Sequence, residues 1–160
     1  MEQVKPPRPP TLDPMSVEPI IGSSYPPPFD RIAATRERRP LGDPLGLTNF
    51  GVNLLRLPPG AASSQRHWHS KQDEFVFVVR GEVVMVTDGG EQQLRAGMAA
   101  GFPAGRRDGH HLINRSTQDA VLLEVGDRTA ADEVDYSDID MIIRWLGGEE
   151  RFLHKDGTPY

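Results

Sequence analysis

Between Thr48 and Gly126 the chain is cut into short apolar segments by turn residues at nearly regular intervals. Phe50–Leu57 stops at Pro58-Pro59-Gly60. Asp73–Arg80, reading DEFVFVVR, is rich in β-branched and aromatic residues and stops at Gly81. Glu82–Thr87 runs into Asp88-Gly89-Gly90, a hairpin turn signal. Glu91–Arg95, Met98–Phe102, Gly109–Asn114 and Ala120–Val125 complete the series. Many short strands broken this often predict an all-β barrel or sandwich. With 16 glycines and 15 prolines in 160 residues, turns and short strands are favoured over long helices. The length suits one domain.

The flanks read differently. Eleven of the 15 prolines fall within residues 1–44. Proline has no amide donor and disfavours helix at the residue before it, so residues 1–47 are expected to be an extended arm lying on another surface, or else disordered. Within them Phe29–Arg39 is expected to form one short helix that Pro40 stops. The barrel is expected over 48–126. Residues 127–160 form an acidic extension with nine acids and four bases. There Ile139, Met141, Ile143 and Trp145 alternate with polar neighbours, which predicts a half-buried edge strand over Asp138–Trp145.

Charge and composition exclude several function classes. The net charge is −5, and the excess acid lies in the last 35 residues. No stretch is basic enough for a nucleic-acid footprint, and an acidic tail argues against an anionic lipid surface. There are no cysteines, so disulfides, thiolate metal sites and cysteine nucleophiles are excluded. The longest purely apolar run, Phe75–Val79, is too short to span a bilayer, and MEQVKPPRPP has no apolar signal core. A cytoplasmic protein is the expectation.

Four of the five histidines fall in two places, His67-Trp68-His69 and His110-His111. Residues two apart on a strand share a face, so His67 and His69 can present both imidazoles to one point. Glu74 opens the next strand and can add a carboxylate. Two imidazoles and a carboxylate suit Fe, Mn, Co, Ni or Zn and leave positions open for a substrate. His110-His111 is a source of a fourth ligand. The alternative is that these histidines are solvated and Glu74 ends a turn.

The surrounding spacing resembles the two motifs of the cupin superfamily. Gly60 lies seven residues before His67, and Gly81 lies seven after Glu74. Gly97, Pro103-Ala104-Gly105, His110 and Asn114 follow. Two spacings depart from the family pattern, before His67 and between Gly105 and His110, and Met98 stands where many cupins have Asp. The strings LGLTNFGVNLLRLPPGA, RHWHSKQDEFVFVVRGE, AGFPAG, DGHHLINRS and HKDGTPY are similar to a group of small bacterial cupins labelled sugar-phosphate isomerases. The resemblance implies a double-stranded β-helix (jelly-roll) barrel with one divalent transition metal on His67, His69, Glu74 and His110. It also implies a small polar metabolite as ligand, with a sugar-phosphate isomerase as one activity. A non-catalytic sensor and a metal-dependent dioxygenase or decarboxylase stay open, because one fold hosts unrelated activities.

Other residues are candidates for ligand binding. Arg66, Arg106, Arg107 and Arg115 offer planar forks of donors for a phosphate or carboxylate, or else are solvated loop charges. Asn114 is a candidate to bond a ligand or the barrel backbone. Glu124, an acid inside an apolar strand, is either a general base or a paired Glu. Trp68 is expected opposite His67 and His69, in a structural or interface role. Period two makes His110 the inward member of its pair, because turning His111 inward would bring Arg115 into the barrel. A core of about 80 residues is marginal alone, so a homodimer is expected.

Overall fold

The computed structural model describes residues 10–160, and the prolines at positions 6, 7 and 9 of the expected arm lie outside them. Two short 3-10 helices, Pro14–Ser16 and Phe29–Ala33, are the helical elements among the described residues. The strands are β1 (Ile20–Ile21), β2 (Glu37–Pro40), β3 (Phe50–Leu57), β4 (His67–His69), β5 (Glu74–Arg80), β6 (Glu82–Thr87) and β7 (Gly90–Arg95). They continue with β8 (Ala99–Phe102), β9 (His111–Ile113), β10 (Ala120–Asp127), β11 (Val134–Tyr136), β12 (Ile142–Leu146) and β13 (Glu149–Leu153). No helix among the described residues is long and apolar enough to cross a membrane.

One layer is a six-stranded sheet in the order β1-β2-β3-β10-β5-β8. The other has two parts, β13-β12-β11-β4 and β7-β6-β9. An isolated bridge at His67↔His110 joins these parts, and a second one pairs Ala62 with Ile113 of β9. The His67 and His110 amides exchange bonds with each other's carbonyls at 3.2 and 2.9 Å. The expected jelly-roll barrel is what forms. Strand alternation fills it: Val76 and Val78 of β5 point inward, while Phe75 and Val79 point out. Leu55, Leu57, Val83, Leu94, Leu112 and Leu122 complete the core.

The flanks differ from expectation in three ways. The short helix over Phe29–Arg39 is a 3-10 turn over Phe29–Ala33 only, and Glu37–Pro40 is strand β2, paired along β3. The reason is tertiary: the free edge of β3 offers unpaired backbone groups, and β2 satisfies them. The described part of the Pro-rich segment thus contributes β1 and β2 to the barrel sheet. At the other end the strand expected over Asp138–Trp145 is Ile142–Leu146, and it is not an edge, because β13 pairs with its outer side. The acidic stretch before it also holds β11, which pairs with β4.

Both flanks pack on each other. Tyr25 meets Tyr136 and Phe152 edge-to-face at 5.6 and 6.1 Å, and Phe29 meets Tyr160 at 5.9 Å. Val134 and Met141 are buried beneath them.

The turn from β5 to β6 depends on Gly81. Its φ is +78°, and a Cβ there would lie 2.7 Å from the Asp119 carbonyl oxygen. Gly81→Ala therefore meets strain and a backbone clash together, and should cost about 2 kcal/mol or more. Urea unfolding checks this; a midpoint equal to wild type would contradict it.

Candidate metal centre

The strand pattern aims the candidate ligands at one place. His67 and His69 occupy alternate positions of β4, and Glu74 opens β5. The possible ligand atoms of these three lie within 4.8 Å of one another. Glu74 Oε2 is 3.7 Å from His67 Nε2, 3.5 Å from His69 Nε2 and 2.8 Å from His110 Nε2. His110 precedes β9, bridges to His67 and stacks flat on Phe102 at 3.5 Å. His110 therefore turns toward the cluster. His111 turns away and bonds the Ser64 carbonyl through Nδ1 at 3.1 Å.

The proton positions decide whether this group fits a cation. His67 Nδ1 lies 2.8 Å from the Gln65 carbonyl oxygen. A carbonyl only accepts, so that nitrogen carries the proton. His69 Nδ1 faces the Asp132 carboxylate in the same way, and Asp132 is buried. With Nδ1 committed to these acceptors, Nε2 of each ring is the atom turned toward Glu74. Burial pushes the His67 imidazole down to about 4, against the pull of Glu74. Burial alone would raise Glu74. Its hydrogen bond with His110 and the nearby His67 and His69 outweigh that and hold it at about 2. Neutral imidazoles and an ionised carboxylate are the forms that bind metals. Imidazole nitrogens and a carboxylate oxygen gathered this closely make a donor set that fits a divalent transition metal. Asp132 holds His69 from its outer side, as a carboxylate would orient a histidine ligand.

Two cavities meet at this cluster. The larger, about 520 Å³, is lined by all four candidate ligands and by Tyr25, Arg36, Arg38, Asn53 and Glu124. The smaller, about 330 Å³, is lined by His69, Glu74 and His110 with Trp68, Gln92 and Arg106. Glu124 of β10 is opposite Val76 of β5, the inward neighbour of Glu74. Burial pushes Glu124 up to about 7, Glu74 adds to this, and Arg36 and Arg38 oppose it.

The other candidates are placed as follows. Arg66 is held by Asp138 at 2.7 and 2.8 Å, by Asp88 and by the Gly109 carbonyl, and lines neither cavity. Arg107 lies over the Trp68 ring at 5.6 Å. Arg106 reaches the smaller cavity beside Asp108. Arg115 is paired with Glu91 on the outside. Trp68 lines the smaller cavity. His154 bonds Asp140, away from the cluster.

Sequence reasoning missed Asp132, Arg36 and Arg38. Asp132 sits in an acidic loop with no spacing signal. Arg36 and Arg38 were hidden by reading TRERRP as the end of a helix; read as a strand, the same letters put both on one face.

Asn114 is fully buried and serves the backbone. Its Nδ2 donates to the Leu57 and Gln118 carbonyls at 2.7 Å each, and its Oδ1 accepts from the Ser116 amide and hydroxyl. Asn114→Ala leaves these groups unpaired and should cost about 1–3 kcal/mol while sparing the histidine cluster. Chemical denaturation measures the cost; an unchanged midpoint would refute it.

The comparisons with known proteins agree with this fold. The family model for the cupin domain matches residues 53–126. A crystal structure of a sugar phosphate isomerase from the cupin superfamily of Silicibacter pomeroyi DSS-3 is 45% identical. It covers 94% of this chain and 96% of its own, with a TM-score of 0.89. A protein of Acidithiobacillus ferrooxidans, provisionally given the same activity, is 28% identical over 79% of this chain and 81% of its own, with a TM-score of 0.72. The polyketide cyclase RemF from Streptomyces resistomycificus shares the fold alone, at 18% identity over 73% and 78% and a TM-score of 0.59. Among curated proteins no match is found. The motif residues, the two-layered barrel and a relative alike over nearly its whole length lead to one conclusion: the chain belongs to the cupin superfamily.

Proposed function

We propose that this cupin holds one divalent transition metal on His67, His69, Glu74 and His110 and isomerises a small sugar phosphate. The observation that carries the reading is the convergence of imidazole nitrogens and a carboxylate beside a cavity that is also lined by Glu124 and two arginines. The likeness to a structure named as a sugar phosphate isomerase supports the substrate class. When bound, the metal supplies Lewis acidity to oxygens on adjacent sugar carbons.

The chain's own residues do the rest. Three neutral imidazoles and one carboxylate leave a divalent site net positive, so it favours oxygen ligands. Glu124 is the acid positioned to handle the proton. Isomerisation removes a proton from one carbon and returns one to its neighbour, and a single carboxylate can perform both transfers. Val76 and Leu112 line the same cavity beside it.

Three measurements test the reading. Metal-loaded protein is incubated with pooled sugar phosphates in deuterated water and followed by NMR. Aldose–ketose conversion with deuterium entering the product is expected; melting-temperature shifts with no conversion would identify a binder instead. Metal per chain should fall when His67, His69, Glu74 or His110 becomes Ala and stay full in His111→Ala; the reverse for the two neighbours would overturn the ligand set. Asp132→Asn should weaken metal affinity about 10–100-fold.

The homodimer belongs to the same proposal. Met15, Leu54, Val79 and Val121 line an outward apolar depression of about 420 Å³ on the six-stranded sheet, which supports packing of a second copy. Light scattering should give about twice 17.7 kDa, and the mass of one chain at micromolar concentration would refute it.

A further inference from the structure

The larger cavity has a second pole. Arg38 of β2 pairs with Leu55 of β3, which is fully buried, so both side chains take the inward face of the sheet. Arg39, one residue on, lies on the other face and donates to the Val17 carbonyl. Arg36 shares the inward face and is already engaged, donating to the Gly22 carbonyl at 2.9 Å and to the Ser63 carbonyl. Arg38 is not engaged. Its Nε is buried without a hydrogen-bond partner, and it makes no ion pair among the described residues. A buried guanidinium nitrogen without a partner is costly, and the group offers a planar fork of donors that matches two oxygens of a phosphate.

The acids that line the same cavity do not quench it. Asp43 pairs with Arg128. Asp127 accepts the amides of Asp73 and Thr129 at 2.8 Å each. Glu74 faces the histidines. Glu124 feels Arg36 and Arg38 electrostatically, yet makes no ion pair with either. In the sheet Arg38 is separated from Glu74 by β3 and β10, so the arginine and the histidine cluster sit on different flanks of one cavity.

We propose that Arg38, with Arg36 beside it, is the anion-binding pole of this cavity and takes the phosphate of a ligand whose other end reaches the histidine cluster. The inference rests on the function proposed above and extends it from the metal end of the cavity to the phosphate end.

Inorganic phosphate is the probe. The full chain is titrated by calorimetry, metal-loaded and chelator-treated, with metal per chain measured alongside. Phosphate should bind in both states. Arg38→Gln should weaken it about tenfold or more with metal content unchanged, since a charged hydrogen bond is worth that much. Arg38→Lys keeps the charge but loses the fork and should fall between. It also decides the matter if Arg38→Gln does not fold. Arg95→Gln, on the exposed side of β7 and outside both cavities, should bind as wild type. Phosphate binding unaffected by Arg38→Gln, binding only in the metal-loaded state, or no binding at all would each overturn the proposal. Acetate binding as tightly as phosphate would overturn the phosphate assignment. Loss of metal or turnover with phosphate still held by Arg38 would sink the isomerase reading and leave this one standing.

Discussion

Two imidazoles with committed protons set the character of this barrel. The Gln65 carbonyl accepts from Nδ1 of His67, and the Asp132 carboxylate faces Nδ1 of His69. With Nδ1 committed to these acceptors, Nε2 is the atom each ring turns toward the Glu74 carboxylate. The backbone of β4 and the loop carrying Asp132 hold both rings in this orientation, which suits a shared cation.

The sheet order makes the cavity polar at its ends and apolar along its walls. Strand β10 pairs with β3 on one side and β5 on the other over most of its length. That double pairing places Asn53, Glu124 and Val76 in one row. The next inward row is Leu55, Leu122 and Val78, which are core. The change from polar to apolar within two residues is what makes this a pocket with a floor. Strand β2 then adds Arg38 at the edge. The N-terminal segment is thus part of the cavity wall, although it is poor in the apolar alternation that marks the other strands.

The barrel was legible because its strands carry two kinds of local signal, alternation and turn residues. Phe50–Leu57 appears with its expected bounds, and Glu82–Thr87 likewise. Period two separates His110 from His111, and in the structure His110 Nε2 meets Glu74 while His111 bonds the Ser64 carbonyl. What stayed hidden depends on long-range pairing. Glu37–Pro40 has no strand signature of its own, and the edge of β3 imposes one. Val134–Tyr136 is three residues long and is a strand because β4 needs a partner. Asp132 is one acid among many in the C-terminal extension, and only the fold brings it to His69. Arg66 looked like a ligand fork from sequence, but Asp88 and Asp138 occupy it. Local patterns reveal which face a residue takes, whereas the partner on that face comes from distant chain.

The seam between the two parts of the second layer has a thermodynamic consequence. His67 and His110 exchange backbone bonds at that seam, and Glu74 reaches them from the opposing sheet. Any ion that binds this group ties three strand segments, far apart in sequence, to one another. Such an ion favours the folded chain over the unfolded one by mass action, so its free concentration enters the folding equilibrium itself. The barrel's resistance to heat would then report how well the surrounding medium supplies the metal, and a scarcity of it would be felt first as loosening along this seam.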